Sequence, residues 1–423
     1  MRNSIRASVK DGLGWAVMSG FVEAYITPFS LALGASPVQV GFIKSFPSLL
    51  GAVAQIFTEK FLKLFATRRD MVADLCFAQA CVLCGFALTP SLPDGLRLGI
   101  FMLLAVLYTA LGLVVNPPWA SLMADYLPAE KRGAFLGWRE RFIGCVYVGA
   151  GLVAGLILDR FGRGTLYGFV LLFSVAAAAR FVSVHYLRQM YEPPVRAQEK
   201  DFSSFLMFLL KAGKDNVAIF TASCGALLLG TYLAAPFFSV YLLEGLHVPY
   251  WQYMIVMLVG PLTTYLASKK WGELADRHGC LAVLKVAVVC IPFVAVFWAL
   301  FRNFYVLILI EAFSGVAWAA YVRGSGNFIY DAVPSNLRAK YIGFFGVVVG
   351  AAQFAGTLAG GYLYVWLPKI SGHAFISVLM LSAAMRFLAA VPFLIKLKPV
   401  RVHKPLDRET LLKAFMPRFF WNY

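Results

Sequence analysis

Twelve apolar runs separated by polar connections dominate this chain, at residues 13–34, 38–58, 71–90, 97–119, 134–158, 164–187, 216–243, 249–268, 281–301, 304–327, 341–366 and 373–396. Each matches the roughly 20 residues that an α-helix needs to cross a bilayer core of about 30 Å. Inside a bilayer every backbone N–H and C=O must find its partner within the protein, and a helix achieves this within one segment. The reading is therefore an all-α integral membrane protein with twelve transmembrane helices. Composition agrees: 14% of residues are charged, against about 25% in soluble domains.

The net charge of +17 would suit a nucleic-acid partner if it formed a stripe on a soluble module. Here Lys and Arg lie between the apolar runs, so no nucleic acid is expected. Their distribution instead sets an orientation, because Lys and Arg accumulate on the cytoplasmic side. Alternate connections carry Lys60, Lys63, Arg68 and Arg69, then Lys131 and Arg132, then Lys269, Lys270 and Arg277, then Arg338 and Lys340. These connections and both termini are expected in the cytoplasm, the protein being multi-pass in a cell inner or plasma membrane. The basic N-terminus has no cleavage site after a short apolar core, so the first run is expected to be retained.

The longest polar connection, around Pro193 and Pro194, divides the chain near its middle. The expected organisation is a six-helix bundle over 1–187, a linker with an interfacial helix over 188–215, a second six-helix bundle over 216–400 and an amphipathic tail over 401–423. The tail and the segment after the linker mix aromatic and basic residues as interfacial helices do, so membrane lipid is an expected partner.

The two bundles are related. An offset of 206 residues pairs Asp125 with Asp331, Pro128 with Pro334, Arg132 with Arg338, Gly144 with Gly350, Gly155 with Gly361 and Arg180 with Arg386. Asp, Pro and Arg match as well as Ala and Gly, which marks a duplication. Six spans per half give both halves one orientation, and two such bundles can rock about a site at the bilayer midplane.

The connection after the eighth run reads GELADRHG, Gly272 to Gly279, and resembles the Gly-x-Leu-Ala-Asp-Arg-x-Gly signature of the major facilitator superfamily. The resemblance extends over essentially the whole chain, through twelve spans, the duplication and a long central connection. It implies the major facilitator fold, a cavity lined by spans one, four, seven and ten, and a role for Asp276 and Arg277 in closing the cytoplasmic side. The alternative for that motif is a plain turn made by its glycines. The duplicated pairs Asp125/Arg132 and Asp331/Arg338 are further cytoplasmic gate candidates, with loop solvation as the alternative. The corresponding first-half connection, EKFLKLFATRRD, keeps Arg68 and Arg69 but lacks the motif's Gly and Asp.

Charged groups within a span are costly and are kept where they face protein or water. Glu23 falls on a small and polar stripe of span one with Ser19, Thr27 and Ser30, and Lys44 on a similar stripe of span two with Ser48 and Gly51. Depths of roughly 16 Å and roughly 10 Å from the intervening turn let the two pair. Such a pair is either a proton-coupling site or a structural contact. Glu311 and Trp318 on span ten, Tyr108 and Asn116 on span four before a break at Pro117–Pro118, and Thr231 and Tyr232 on span seven complete the cavity candidates. Arg180 and Arg386 are expected at the periphery, snorkelling, and Arg323 near the cytoplasmic end, snorkelling or latching.

No phosphate-binding loop, zinc helix or nucleophile elbow is present, and the seven cysteines lack metal-ligand spacing. The chain is therefore read as no enzyme, with no cofactor and no metal. The expected function is a secondary transporter for a small organic solute, coupled to protons and working as a monomer. The competing function is a non-transporting membrane partner or lipid-binding assembly protein on the same fold.

Overall fold

A computed structural model describes residues 2–56, 65–126, 129–162, 165–192, 215–333, 338–400, 406 and 410. Among the described residues twelve long helices and the seven-residue α2 carry the fold: α1 (Arg2–Val22), α2 (Ile26–Ala32), α3 (Pro37–Ile56), α4 (Arg68–Leu88), α5 (Asp94–Tyr126), α6 (Ala129–Phe161), α7 (Tyr167–Leu187), α8 (Asn216–Tyr232), α9 (Tyr250–His278), α10 (Cys280–Leu300), α11 (Phe304–Ala332), α12 (Arg338–Trp366) and α13 (Ala374–Ile395). Together α1 and α2 form the first span, α3 to α7 the second to sixth, α8 with short turns after it the seventh, and α9 to α13 the rest. Among the described residues nine helical stretches meet length and hydropathy criteria for crossing a membrane. Most of the linker expected over 188–215, at 193–214, and nearly all of the tail at 401–423 lie outside the described residues.

Side chains at the helix starts supply the missing acceptors. Asp215 accepts from the Val217 amide at 3.0 Å and Asn303 from the Tyr305 amide at 3.0 Å, so α8 and α11 start on side-chain caps. At Gly279 the backbone takes φ +89°, a conformation that favours glycine, and turns α9 directly into α10. Several helices outrun their apolar runs: α1 starts at Arg2 and α9 ends at His278, carrying polar turns past the apolar stretch.

Two expectations about local structure are corrected. The helix α5 runs unbroken through Pro117 and Pro118, because each proline removes one internal hydrogen bond without forcing the axis to end. Arg180 and Arg386 do not snorkel. Each is 3% exposed, and their guanidinium groups hydrogen-bond to protein atoms of their own half.

Packing repeats between the halves. In the first, α1 lies against α6 and α7, α4 against α5 and α7, and α3 against α5; in the second, α8 lies against α12 and α13, α10 against α11 and α13, and α9 against α11. These are the same neighbours shifted by six spans, which is the duplication seen in three dimensions. Two seams join the halves, α3 with α12 and α6 with α9, and each is the pseudo-symmetric counterpart of the other. Glycines let both seams close. A Cβ at Gly155 would sit 2.7 Å from Met254, one at Gly144 2.9 Å from Tyr265, and one at Gly41 3.3 Å from the Thr357 carbonyl.

The outward surface is apolar. Leu103, Leu156, Leu309 and Leu388 are each 60% or more exposed on different helices, as lipid-facing side chains are. Inside the first half, Phe29 meets Phe101 at 4.7 Å and Phe173 at 5.1 Å. In the second, Phe220 stacks on Phe328 at 4.4 Å. Each half thus has aromatic and aliphatic packing of its own, and the two join in one continuous apolar cluster that includes Phe29, Phe237, Tyr253 and Met254.

Candidate functional site: a charged cavity between the halves

A cavity of about 840 Å³ opens between the halves. Its walls come mostly from the first half, from α1, α3, α4, α5, α6 and α7, with Thr264, Tyr265 and Ser268 of α9 and Val322 and Arg323 of α11 closing it from the second. Of the sequence candidates, Glu23, Lys44, Tyr108 and Asn116 line it together. Glu311, Thr231, Tyr232 and Trp318 are not among its lining residues.

Glu23 occupies the place where the first span breaks. Residues 23–25 form a turn between α1 and α2, and the sequence contributes to it: Pro28 has no amide hydrogen to donate to the Ala24 carbonyl four residues back. The Glu23 side chain is surrounded by protein yet remains exposed, because the open space beside it is the cavity itself. Lys44 from α3 lies on the same cavity and interacts electrostatically with Glu23. Tyr108 is buried beside them, its hydroxyl 3.5 Å from Met18 Sδ and its carbonyl accepting from Gln79 Nε2 at 2.9 Å.

Toward the side that carries the termini, the wall holds a buried charge cluster that the sequence reading missed. Asp11 Oδ1 accepts from the Ser183 hydroxyl at 2.7 Å, and Asp11 Oδ2 accepts from Trp119 Nε1 at 3.4 Å and lies 3.8 Å from the Arg139 guanidinium. Arg139 also donates to the Ser8 carbonyl at 2.8 Å and lies over the Trp119 ring at 4.6 Å. Arg180 donates to Ser183 at 3.2 Å and to Cys76 Sγ at 3.0 Å. Asp11 stands outside the first apolar run, and Arg139 lies near the start of the fifth within the charged triplet Arg139, Glu140 and Arg141, so neither stood out as a lone charge in apolar sequence. The cluster is visible only once α1, α5, α6 and α7 are brought together.

The remaining candidates fall elsewhere. Glu311 accepts from the indole of the fully buried Trp298 at 2.8 Å, and Gly260 leaves room for its other oxygen, so the carboxylate sits among α9, α10 and α11. Thr231 returns its hydroxyl to the Leu227 carbonyl at 2.8 Å, and Trp318 packs edge-on against Tyr321 within the second half.

Asp276 and Arg277 are exposed near the end of α9, with no hydrogen bond or ion pair among the described residues. Asp331 receives the Cys280 thiol at 3.6 Å, a contact inside the second half. The side chains of Asp125, Arg132 and Arg338 lie outside the described residues. On the terminal side, the charged contact between halves among the described residues is Arg323 with Glu140, 3.7 Å apart, both lining the cavity. No cluster able to hold a metal ion is found among the described residues.

On the opposite side the halves meet through polar and aromatic groups. The Tyr253 hydroxyl donates to the Ala24 carbonyl at 2.7 Å, and Phe169 meets Tyr250 edge-on at 6.1 Å.

Comparison with known proteins bears on the fold and the family. The family model described as Major Facilitator Superfamily matches residues 12–284 and 220–423. An uncharacterised MFS-type transporter of Methanocaldococcus jannaschii is 29% identical over 104 residues, which cover 25% of this chain and 26% of that protein. An uncharacterised protein of Geobacillus stearothermophilus is 28% identical over 125 residues, covering 29% and 56%. The chain thus spans about a quarter and about half of those relatives' lengths. Among solved structures, a D-xylose-proton symporter superposes with a TM-score of 0.72 at 13% identity, covering 96% of this chain and 98% of that one. A mutant of the nucleoside transporter NupG gives 0.71 at 14% identity, covering 94% and 100%. A bacterial homologue of the iron transporter ferroportin in an inward-facing state gives 0.68 at 16%, covering 93% and 97%.

Proposed function

The chain belongs to the major facilitator superfamily, a family of membrane transporters, and from that premise we propose that it carries a small organic solute across the membrane by alternating access, driven by protons that load on Glu23. The observation that carries the reading is the cavity. It lies between two halves related by duplication, and its volume of about 840 Å³ falls in the range of roughly 300–1,000 Å³ typical of small-molecule sites. Trp15, Trp119, Tyr108 and Tyr265 give it flat apolar walls, and Asn116, Thr109, Gln79 and the charged groups give it hydrogen-bonding capacity. That combination suits an organic molecule with polar edges better than a bare ion. The structural relatives carry different solutes at 13–16% identity, so the substrate is not carried over from them.

Glu23 is the coupling residue in this reading for three reasons. It stands at a helix break, it opens into the cavity, and it has a cationic neighbour whose attraction responds to its charge. A proton taken up from one side cancels that attraction and is released when the cavity opens to the other. Glu311, held by Trp298 away from the cavity, serves as a structural partner in the second half. Both termini face the cytoplasm in this reading, which puts the Arg323–Glu140 contact at the cytoplasmic mouth.

Purified protein in proteoliposomes tests the assignment, with solutes first selected by thermal shift. Wild-type uptake should rise with an imposed inward proton gradient. Glu23→Gln should keep solute exchange while losing at least tenfold of the gradient-driven uptake. Equal response to the gradient in both proteins removes Glu23 from the coupling role, and no flux of any solute favours the non-transporting partner.

A further inference from the structure

Two spans are broken at corresponding depths, one in each half, and a single side chain ties the breaks together. The first span unwinds at 23–25 and the seventh after Tyr232, where turns and a short 3₁₀ segment at Ala235–Phe237 surround Pro236. Tyr253, fully buried near the start of α9, reaches the first break at Ala24 and the short helical turn Phe238–Val240 that follows the second. Its hydroxyl lies 2.7 Å from the Ala24 carbonyl and 2.9 Å from Ser239 Oγ. A phenol has one hydrogen, and a carbonyl can only accept, so Tyr253 donates to Ala24 and Ser239 donates to Tyr253. The result is a directional chain from Ser239 through Tyr253 to Ala24, the last step crossing between halves.

The acceptor is prepared by sequence. Pro28 leaves the Ala24 carbonyl without its in-helix donor, and a buried carbonyl without a partner is costly in a dry environment. Opening the far side of the molecule strips that carbonyl of Tyr253, while closing it restores the bond. We propose that Tyr253 is the latch of the side opposite to the termini, holding the first-half break against the second half while the cavity faces the terminal side. The proposal rests on the alternating-access reading and adds to it a named residue with a named acceptor one position from Glu23. The neighbouring Tyr25 supplies a built-in contrast. Its hydroxyl donates to the Gly151 carbonyl at 2.7 Å, a bond of the same chemistry made entirely within the first half.

The test is a distance distribution measured by electron–electron resonance on the full chain in lipid nanodiscs. Spin labels are attached through ketone-bearing unnatural residues at Gly95 and Lys369, exposed positions on the far side of opposite halves. Losing one hydrogen bond of ordinary net strength shifts an equilibrium by roughly fivefold. Tyr253→Phe should therefore raise the ratio of long to short distances by roughly fivefold, and Tyr25→Phe should leave it unchanged. Pro28→Ala, which returns an in-helix donor to Ala24, should shift the ratio in the same direction as Tyr253→Phe. Unchanged distances in Tyr253→Phe, or an equal shift in Tyr25→Phe, overturn the latch.

A wedge variant separates this failure from failure of the broader reading. A Cβ at Gly361 would lie 3.4 Å from the Val38 Cα across the α3–α12 seam, so Gly361→Trp should force the far side apart. If the wedge opens the gap and Tyr253→Phe does not, the latch alone falls. If neither moves the labels, alternating access falls with it.

Discussion

At the residue scale, the protein holds charges that the bilayer would reject unless other side chains answered them. Asp11 and Arg139 are 4% and 7% exposed, and each has partners on other helices. Removing one member of such a buried pair leaves the other uncompensated, at a cost of about 3 kcal/mol or more. Asp11→Ala should accordingly lower stability in detergent by about that amount, read as a lower thermal midpoint, whereas Asp11→Asn keeps acceptor capacity toward Ser183 and should lose less. Equal midpoints for Asp11→Ala and wild type would show that the cluster holds nothing together. Glu23 and Lys44 were legible in the sequence because a charge inside an apolar run is conspicuous. Asp11, Arg139 and Arg180 were not, since the first two stand at polar edges and the third looked like a residue able to reach an interface. Their contacts depend on which helix ends converge, and hydropathy carries no such information.

At the element scale, helix breaks and seams are set by residues whose effect appears elsewhere. The unwinding at 23–25 answers to Pro28, and the continuity of α5 through two prolines shows that proline alone does not end a helix. Two glycines of α6, Gly144 and Gly155, were readable as duplicated positions, but their partner, α9 of the other half, was not. That partner explains them. Gly144, Gly151 and Gly155 admit Tyr265, Leu258 and Met254 respectively at under 3.1 Å from a notional Cβ, so the seam has no spare width. Gly155→Leu should therefore hold the halves apart on the far side, with surface expression retained and solute flux reduced at least tenfold. Flux equal to wild type would mean that α6 and α9 need not close against each other during transport. Gly149, which has open space around it, is the matched control and should tolerate the same change.

At the scale of the whole molecule, the twelve spans, their duplication and the family resemblance were readable from sequence because each repeats a strong periodic signal. The repeated packing of the two halves and the match of the family model to residues 12–284 and 220–423 agree with that reading. Where the polar space lies was less readable. Spans one and four do contribute to the cavity, but its charged lining comes chiefly from the first half, and the second half's own carboxylate, Glu311, is committed to Trp298. Duplication kept the scaffold while the chemistry became lopsided: Arg180 and Arg386 retain corresponding positions, but the residues that line the cavity from the second half include no carboxylate and no lysine to match Glu23 and Lys44.

Counterflow in proteoliposomes tests most directly whether the two halves form a carrier. Vesicles preloaded with an unlabelled solute that raises the protein's thermal midpoint are diluted into a trace of the same solute, labelled. A site open to one side at a time returns labelled solute on each inward turn, so labelled solute should transiently accumulate above its equilibrium level before decaying. Entry that rises only to equilibrium, or no protein-dependent entry for any solute that binds, would contradict an alternating-access carrier.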